Sequence, residues 1–220
     1  MANSIISETR TYRLTGITSL LGSNPADPKI HSKFVAAKAA SIEKAMQETQ
    51  MLPTEEELKE KLESVKTMGL TVFLRDGDDG HLVVGNHVIK GFFKAAINTL
   101  KDQLGIASAK SKVDNYVFIN PTYIPIMKDG KVITEADCYN ERSLRAETAQ
   151  GPRVSLASSE QINAPWALDV NICLVTNPAS AKSKPITWAT IETALEYGKL
   201  KGLGQWRNAG NGSFTFERIK

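Results

Sequence analysis

The stretch KLKGLGQWRNAGNGSFTF, Lys199 to Phe216, carries glycines at 202, 204, 210 and 212, three cations and no acid. A helix-like segment precedes it and an alternating one follows, so it reads as a glycine-rich loop that leads from the last helix into a closing strand. Glycine permits positive φ and lets another molecule approach the backbone closely, and successive amides turned inward form a nest for anions. Lys199, Lys201 and Arg207 add charge, and Trp206 adds a flat apolar face. Phosphates suit the amides and cations while a base can stack on the indole, so a single-stranded nucleic acid matches the whole set. A plain turn between helix and strand matches the glycines as well. The dinucleotide fingerprint does not fit: Arg207 stands where its third glycine belongs, and the loop runs from helix to strand. There is no G-K-[ST] for a P-loop either.

Just upstream, Thr187 reads as the cap of a helix with Trp188, Ile191, Leu195 and Gly198 on one face, and downstream Ser213–Ile219 alternates as the closing strand. WALDVNICLV, residues 166–175, is a near-continuous apolar run and so a central strand. At the other end of the chain, Thr9 to Leu21 reads as the first core strand, with Tyr12, Leu14 and, after slippage at Gly16, Ile17 as apolar positions. GSNPADP then breaks the chain. Residues 28–66 read as an inserted pair of helices, the second opened by the Thr54/Glu57 capping box. Leu70–Leu74 and His81–Val84 flank the turn RDGDDG, whose Asp76, Asp78 and Asp79 suit turn chemistry better than a calcium loop. In GNHVIKGFFKAAINTLKDQLG, Asn86 is the expected N-cap and Ile89, Phe93, Ala96, Leu100 and Leu104 the buried stripe. Lys90, Lys94 and Lys101 border that stripe. Asn115–Met127 reads as a strand pair ending in the KDGK turn. Residues 134–162 are polar and read as a projecting ribbon whose cations are Arg142, Arg145 and Arg153, with Glu141 and Glu147 as available partners. With the insertion removed the order is β-α-β-β-α-β, an α+β, ferredoxin-like split.

Composition sets the limits around this reading. At 220 residues, 41% hydrophobic and 23% charged, the chain is globular, and it is read as one domain over 1–220. A net charge of +3 means a nucleic-acid partner must be met by local clustering rather than by the field of the whole molecule. No apolar run approaches membrane-spanning length, and MANSIISETR lacks a signal-peptide core, so the expected location is the cytoplasm with no membrane partner. Cys138 and Cys173 lie outside any C-x-x-C, and His31, His81 and His87 show no ligand spacing. No metal and no cofactor are expected.

Two stretches together resemble the RAMP superfamily, the RNA-binding proteins that form CRISPR effector backbones and related guide-RNA processors. VVGNHVIKGFFKAA (83–96) resembles the segment in which a short turn leads into a helix with Lys-Gly and a further basic residue: Gly85, Lys90, Gly91 and Lys94 occupy those places, with Asn86 and His87 where small hydroxyl residues are usual. GKLKGLGQWRNAGNGSFTF (198–216) resembles the glycine-rich loop before the last strand. The resemblance implies a modified RRM core with a thumb-like ribbon. It also implies a non-catalytic subunit that holds a single-stranded guide, RNA in the first instance, alongside copies of itself in a linear or helical assembly or other effector subunits. The implied binding residues are Asn86, His87, Lys90, Lys94, Arg142, Arg145, Arg153, Lys199, Lys201, Gly202, Gly204, Gln205, Trp206, Arg207, Asn208 and Gly210. The competing expectations are an endoribonuclease, for which Asp27, His31 and His87 are the candidate acid-base residues, and a partner-binding protein that reuses the fold with Trp206 as anchor. SVKTMGLTVF, just before the RDGDDG hairpin, offers no acid where the cleaving relatives would place one.

Overall fold

Alternating apolar residues at the two ends of the chain meet as neighbouring strands. The computed structural model describes residues 6–26, 70–148, 151–176 and 183–220, with only the backbone of 144–148 and 151–156. The helical pair read at 28–66 lies outside the described residues. In chain order the strands are β1 (Ser7–Gly16), β2 (Leu20–Leu21), β3 (Asn24–Pro25), β4 (Leu70–Val72), β5 (Leu74–Asp76) and β6 (His81–Gly85). Helices α1 (Asn86–Thr99), α2 (Lys101–Leu104) and α3 (Ala109–Tyr116) follow, then β7 (Val117–Asn120), β8 (Tyr123–Pro125), β9 (Met127–Lys128) and β10 (Lys131–Val132). The chain continues through β11 (Cys138–Thr148), β12 (Gly151–Ile162), β13 (Ala167–Val175), α4 (Trp188–Glu196) and β14 (Phe214–Arg218). The fold is α+β with sheet predominating.

In the principal sheet the order β14–β1–β13–β7 is antiparallel throughout, and the β9–β10 hairpin continues the β7 edge. Leu14 stands between Leu168 and Phe216 in register. Tyr12, Leu14, Val117, Ile119, Leu168, Val170, Ile172 and Phe214 are buried with Phe92, Phe93, Ala96, Val113, Ile191 and Leu195 of the helices in one core. Each such side chain contributes about 1.5–3 kcal/mol on burial. The opposite residues of the same strands are polar and pair across the sheet: Arg13 binds both carboxylate oxygens of Asp169 at 2.8 Å, and the Thr11 hydroxyl donates to Asn171 Oδ1. A helix precedes each edge strand on one face, which gives the sheet one dry side and one wet side. Among the described residues no helix is long and apolar enough to cross a membrane.

Several local expectations are corrected. Ile17 is 51% exposed, because β1 ends at Gly16, whose missing Cβ makes room for the Trp166 indole. The N-cap of α1 is Gly85, and Asn86 is the first helical residue: its amide donates to Thr122 O and its side-chain amide to Ile119 O, so both are used against the β7–β8 segment. The stripe of α1 runs Ile89, Phe92, Phe93, Ala96 and Ile97, and the helix breaks at Leu100. Asn115 lies in α3 and not in a strand. Thr187 does cap α4, its hydroxyl accepting from Thr190 N–H.

Residues 138–162 form a two-stranded ribbon in register from Cys138↔Gln161 to Thr148↔Gly151. Its base is sewn into a second sheet, where β12 pairs with β2 and, in parallel, with β4. Glu160, 3% exposed, accepts from Phe73 N–H and from Arg75 Nη2, both at 2.8 Å. Asp137 closes the base, accepting from Asn163 N–H and the Lys128 ammonium. Burial raises the Asp137 carboxyl pKa, but Lys128 and the Asn163 amide outweigh it and hold it below the usual carboxylate range. A depressed carboxyl stabilises the fold above its unfolded pKa and loses that contribution as pH falls through the folded one. The stability gap between wild type and Asp137→Asn, measured by urea unfolding, is therefore expected to be full near neutrality and to close below about pH 4.

Candidate nucleic-acid interface

The first turn of α1 and the glycine-rich loop, far apart in sequence, form two walls of one cleft of about 450 Å³ lined by Ser23, His87, Val88, Gly91, Gly204, Gln205, Trp206, Arg207 and Asn208. The first turn of a helix leaves amides without intrahelical acceptors. Here no side chain caps them and no acid lies in that turn. Among the described residues no carboxylate lines the cleft either, and Arg207 is the fixed positive charge they supply. The His87 imidazole folds back over Gly85, where a Cβ would meet it at 2.4 Å, so the glycine before the helix makes room for that ring.

The loop is built by close backbone crossings. An added Cβ at Gly202 would lie 2.0 Å from Asn211 O, and one at Gly204, where φ is +73°, would lie 2.6 Å from Leu21 O. Leu203 between them is fully buried in the core, and its N–H donates to Gly212 O at 2.9 Å. The amides of Gln205 and Gly212 donate to Leu21 O and Ser19 O, and those of Ala209 and Gly210 to Trp206 O and Arg207 O. This corrects the expectation of a nest of amides turned toward an anion. Several of those amides are committed to the chain's own carbonyls, and the loop is locked to the segment after β1. Trp206 takes a left-handed φ of 52°, and the residue is 42% exposed.

The other expected residues distribute as follows. Lys199 is paired with Glu196 one turn earlier, Lys201 is half-buried, and Gly210, at φ +88°, has open space where a Cβ would stand. Lys90 donates to Asp114 O and lies over Phe118, while Lys94 pairs with Asp114 Oδ2 at 2.8 Å, so both are turned to α3. Arg142 is buried against Trp206. Arg145 and Arg153 sit at adjacent ribbon positions, opposite Val154 and Ala146; their side chains, like Asp27 and His31, lie outside the description. Ser23, Val88 and Gly91 were missed as cleft residues: nothing in a turn serine or an apolar helix position could have marked the first two, while Gly91 was singled out only as a motif position. No group of three His, Cys, Asp or Glu residues suited to a metal occurs among the described residues.

No protein-family model matches the sequence, and no curated protein matches it. A distant structural neighbour is a chain of the type III-B Cmr-beta CRISPR complex, a cryo-EM structure bound to cognate target RNA. It is similar at a TM-score of 0.46 and 12% identity over 97% of this chain and 59% of that one. This chain thus spans less than two thirds of the neighbour's length.

Proposed function

We propose that this chain is a non-catalytic subunit that binds single-stranded nucleic acid, a guide RNA in the first instance, in the cleft between α1 and the glycine-rich loop. The observation that carries the reading is that the two RAMP-like motifs converge on one cleft, without an acid among its described lining residues, that holds a fixed cation, uncapped helix amides and a half-exposed tryptophan. Phosphate oxygens suit Arg207 and the α1 amides, and a base suits the free face of Trp206. The strand order β14–β1–β13–β7, with helices before each edge strand, supports a ferredoxin-like core. Copies of the chain, or other effector subunits, then line up along the strand. Among the described residues His87 has no carboxylate beside it in the cleft, so the reading gives it no acid-base partner there.

Binding to a short labelled RNA is expected to fall by about 0.7 decades per decade of salt for each phosphate neutralised. Arg207→Ala should make that slope shallower by about the same amount, and Trp206→Ala should cost about 1–3 kcal/mol. A dissociation constant independent of salt, or strong preference for one sequence among strands of equal length, would overturn the reading.

A further inference from the structure

Resting on that reading of the cleft, we infer that Arg142 is a positioning residue which holds the Trp206 indole as a one-sided stacking platform and does not itself touch the ligand. As a ribbon cation Arg142 looked suited to phosphate, but it is only 8% exposed. Its guanidinium carbon lies 4.8 Å from the Trp206 ring centroid. Nη2 donates to Ser159 Oγ at 3.1 Å, Nη1 reaches Asn140 Oδ1 at 3.5 Å, and the buried Nε has no hydrogen-bond partner. No carboxylate pairs with it among the described residues. A cation withdrawn from water without a counter-charge needs some other compensation, and the π face of the indole is the group that supplies it.

The arrangement fixes the platform from both ends. The carbonyl of Trp206 accepts from Ala209 N–H and Asn211 Nδ2, which sets where the side chain starts. The guanidinium then sets where the ring points, and it covers one ring face so that a base meets the other. Ser159, which accepts from Arg142, is 2.5 Å from Thr71 Oγ1 on β4, so the pedestal stands on the ribbon's anchored base rather than on its tip. A planar guanidinium can stack and hydrogen-bond in this way, whereas an ammonium cannot.

The test is a double-mutant cycle on the full chain, with a short labelled oligouridine as probe and a salt series for each variant. Arg142→Met is expected to weaken binding several-fold with the salt slope unchanged and to add nothing in a Trp206→Ala background; Arg142→Lys should not rescue. A slope shallower by about 0.7, or an effect of Arg142→Met that persists in full without the indole, would assign Arg142 to phosphate and overturn the inference. A second arm needs no ligand: the near-UV circular dichroism bands that Trp206→Phe removes should collapse in Arg142→Met, and in Arg142→Gln should Met not fold. Bands that persist would equally overturn it. If the wild type binds no single strand, the nucleic-acid reading fails on its own, and the spectroscopic arm still decides whether Arg142 holds Trp206.

Discussion

Gly202→Ala is expected to cost about 3 kcal/mol and, at about 2–4 °C per kcal/mol for a chain of this size, to lower the melting temperature by about 6–12 °C. The added methyl would stand 2.0 Å from Asn211 O, 2.3 Å from Gly212 C and 2.6 Å from Ser213 N, all backbone atoms that no rotamer change can move aside. Relief requires separating the two arms of the loop, and that exposes Leu203 and breaks the 2.9 Å bond between Leu203 N–H and Gly212 O. Gly210 is the control. It has the left-handed φ of +88° that Gly202 lacks, but open space where a Cβ would stand, so Gly210→Ala should cost only about 1 kcal/mol, the strain of the backbone alone. Thermal melts of the two variants check the contrast; equal losses would mean that the crossing at Gly202 is not tight. Glycine substitutions in this loop cannot separate a binding role from a folding role, because they damage both. Arg207→Ala can, since among the described residues the Arg207 side chain makes no hydrogen bond or ion pair, and its carbonyl, which accepts from Gly210 N–H, is kept.

Arg75→Ala is expected to destabilise the chain by about 3 kcal/mol, far more than the loss of an ordinary surface arginine. Its side chain is 45% exposed, but the carboxylate it meets is not: Glu160 is buried and keeps only the Phe73 amide when Arg75 is gone. An ion left in the interior with one donor is the costly half of a broken pair. Half-exposure of the guanidinium puts the figure at the low end of the range for buried pairs. Adding Glu160→Gln to Arg75→Ala should restore much of the loss, since a neutral amide oxygen still accepts from Phe73 and no charge is stranded. Urea unfolding of the two single variants and the double decides it. A double variant less stable than Arg75→Ala would show that the cost lies elsewhere.

The principal sheet was legible because its residues alternate: β13 and β14 follow from periodicity, and the RDGDDG and KDGK turns and the Thr187 cap from local chemistry. α3 was not, because AKSKVDNY has only Ala109 and Val113 to bury and shows no helical stripe. The polar ribbon hid its buried members. Arg142, Ser159 and Glu160 look like surface residues until the partners that satisfy them, Trp206, Thr71 and Arg75, are brought across from the glycine-rich loop and from other strands. The same limit applies to the candidate site. Glycine-rich sequence marks a place where backbone needs freedom, yet it does not say whether a ligand or another stretch of the same chain will fill the space. At Gly202 and Gly204 it is the chain itself. Lysines were the least legible of all, since Lys90, Lys94 and Lys199 met acids or carbonyls that only the folded helices bring near.

Ser19 and Leu21 hold the loop by accepting from Gly212 and Gln205, so the cleft is closed by two segments from opposite regions of the chain. During synthesis the acceptors emerge from the ribosome early and the donors only after nearly everything between them. β1 likewise waits for β13 and β14 on either side. Contacts of such long separation are slow to form, because the intervening chain must be confined before they give any return. The cleft thus forms only after both segments and the chain between them have been made, and a nascent chain that has not yet extruded Gly212 has no cleft with which to capture a strand.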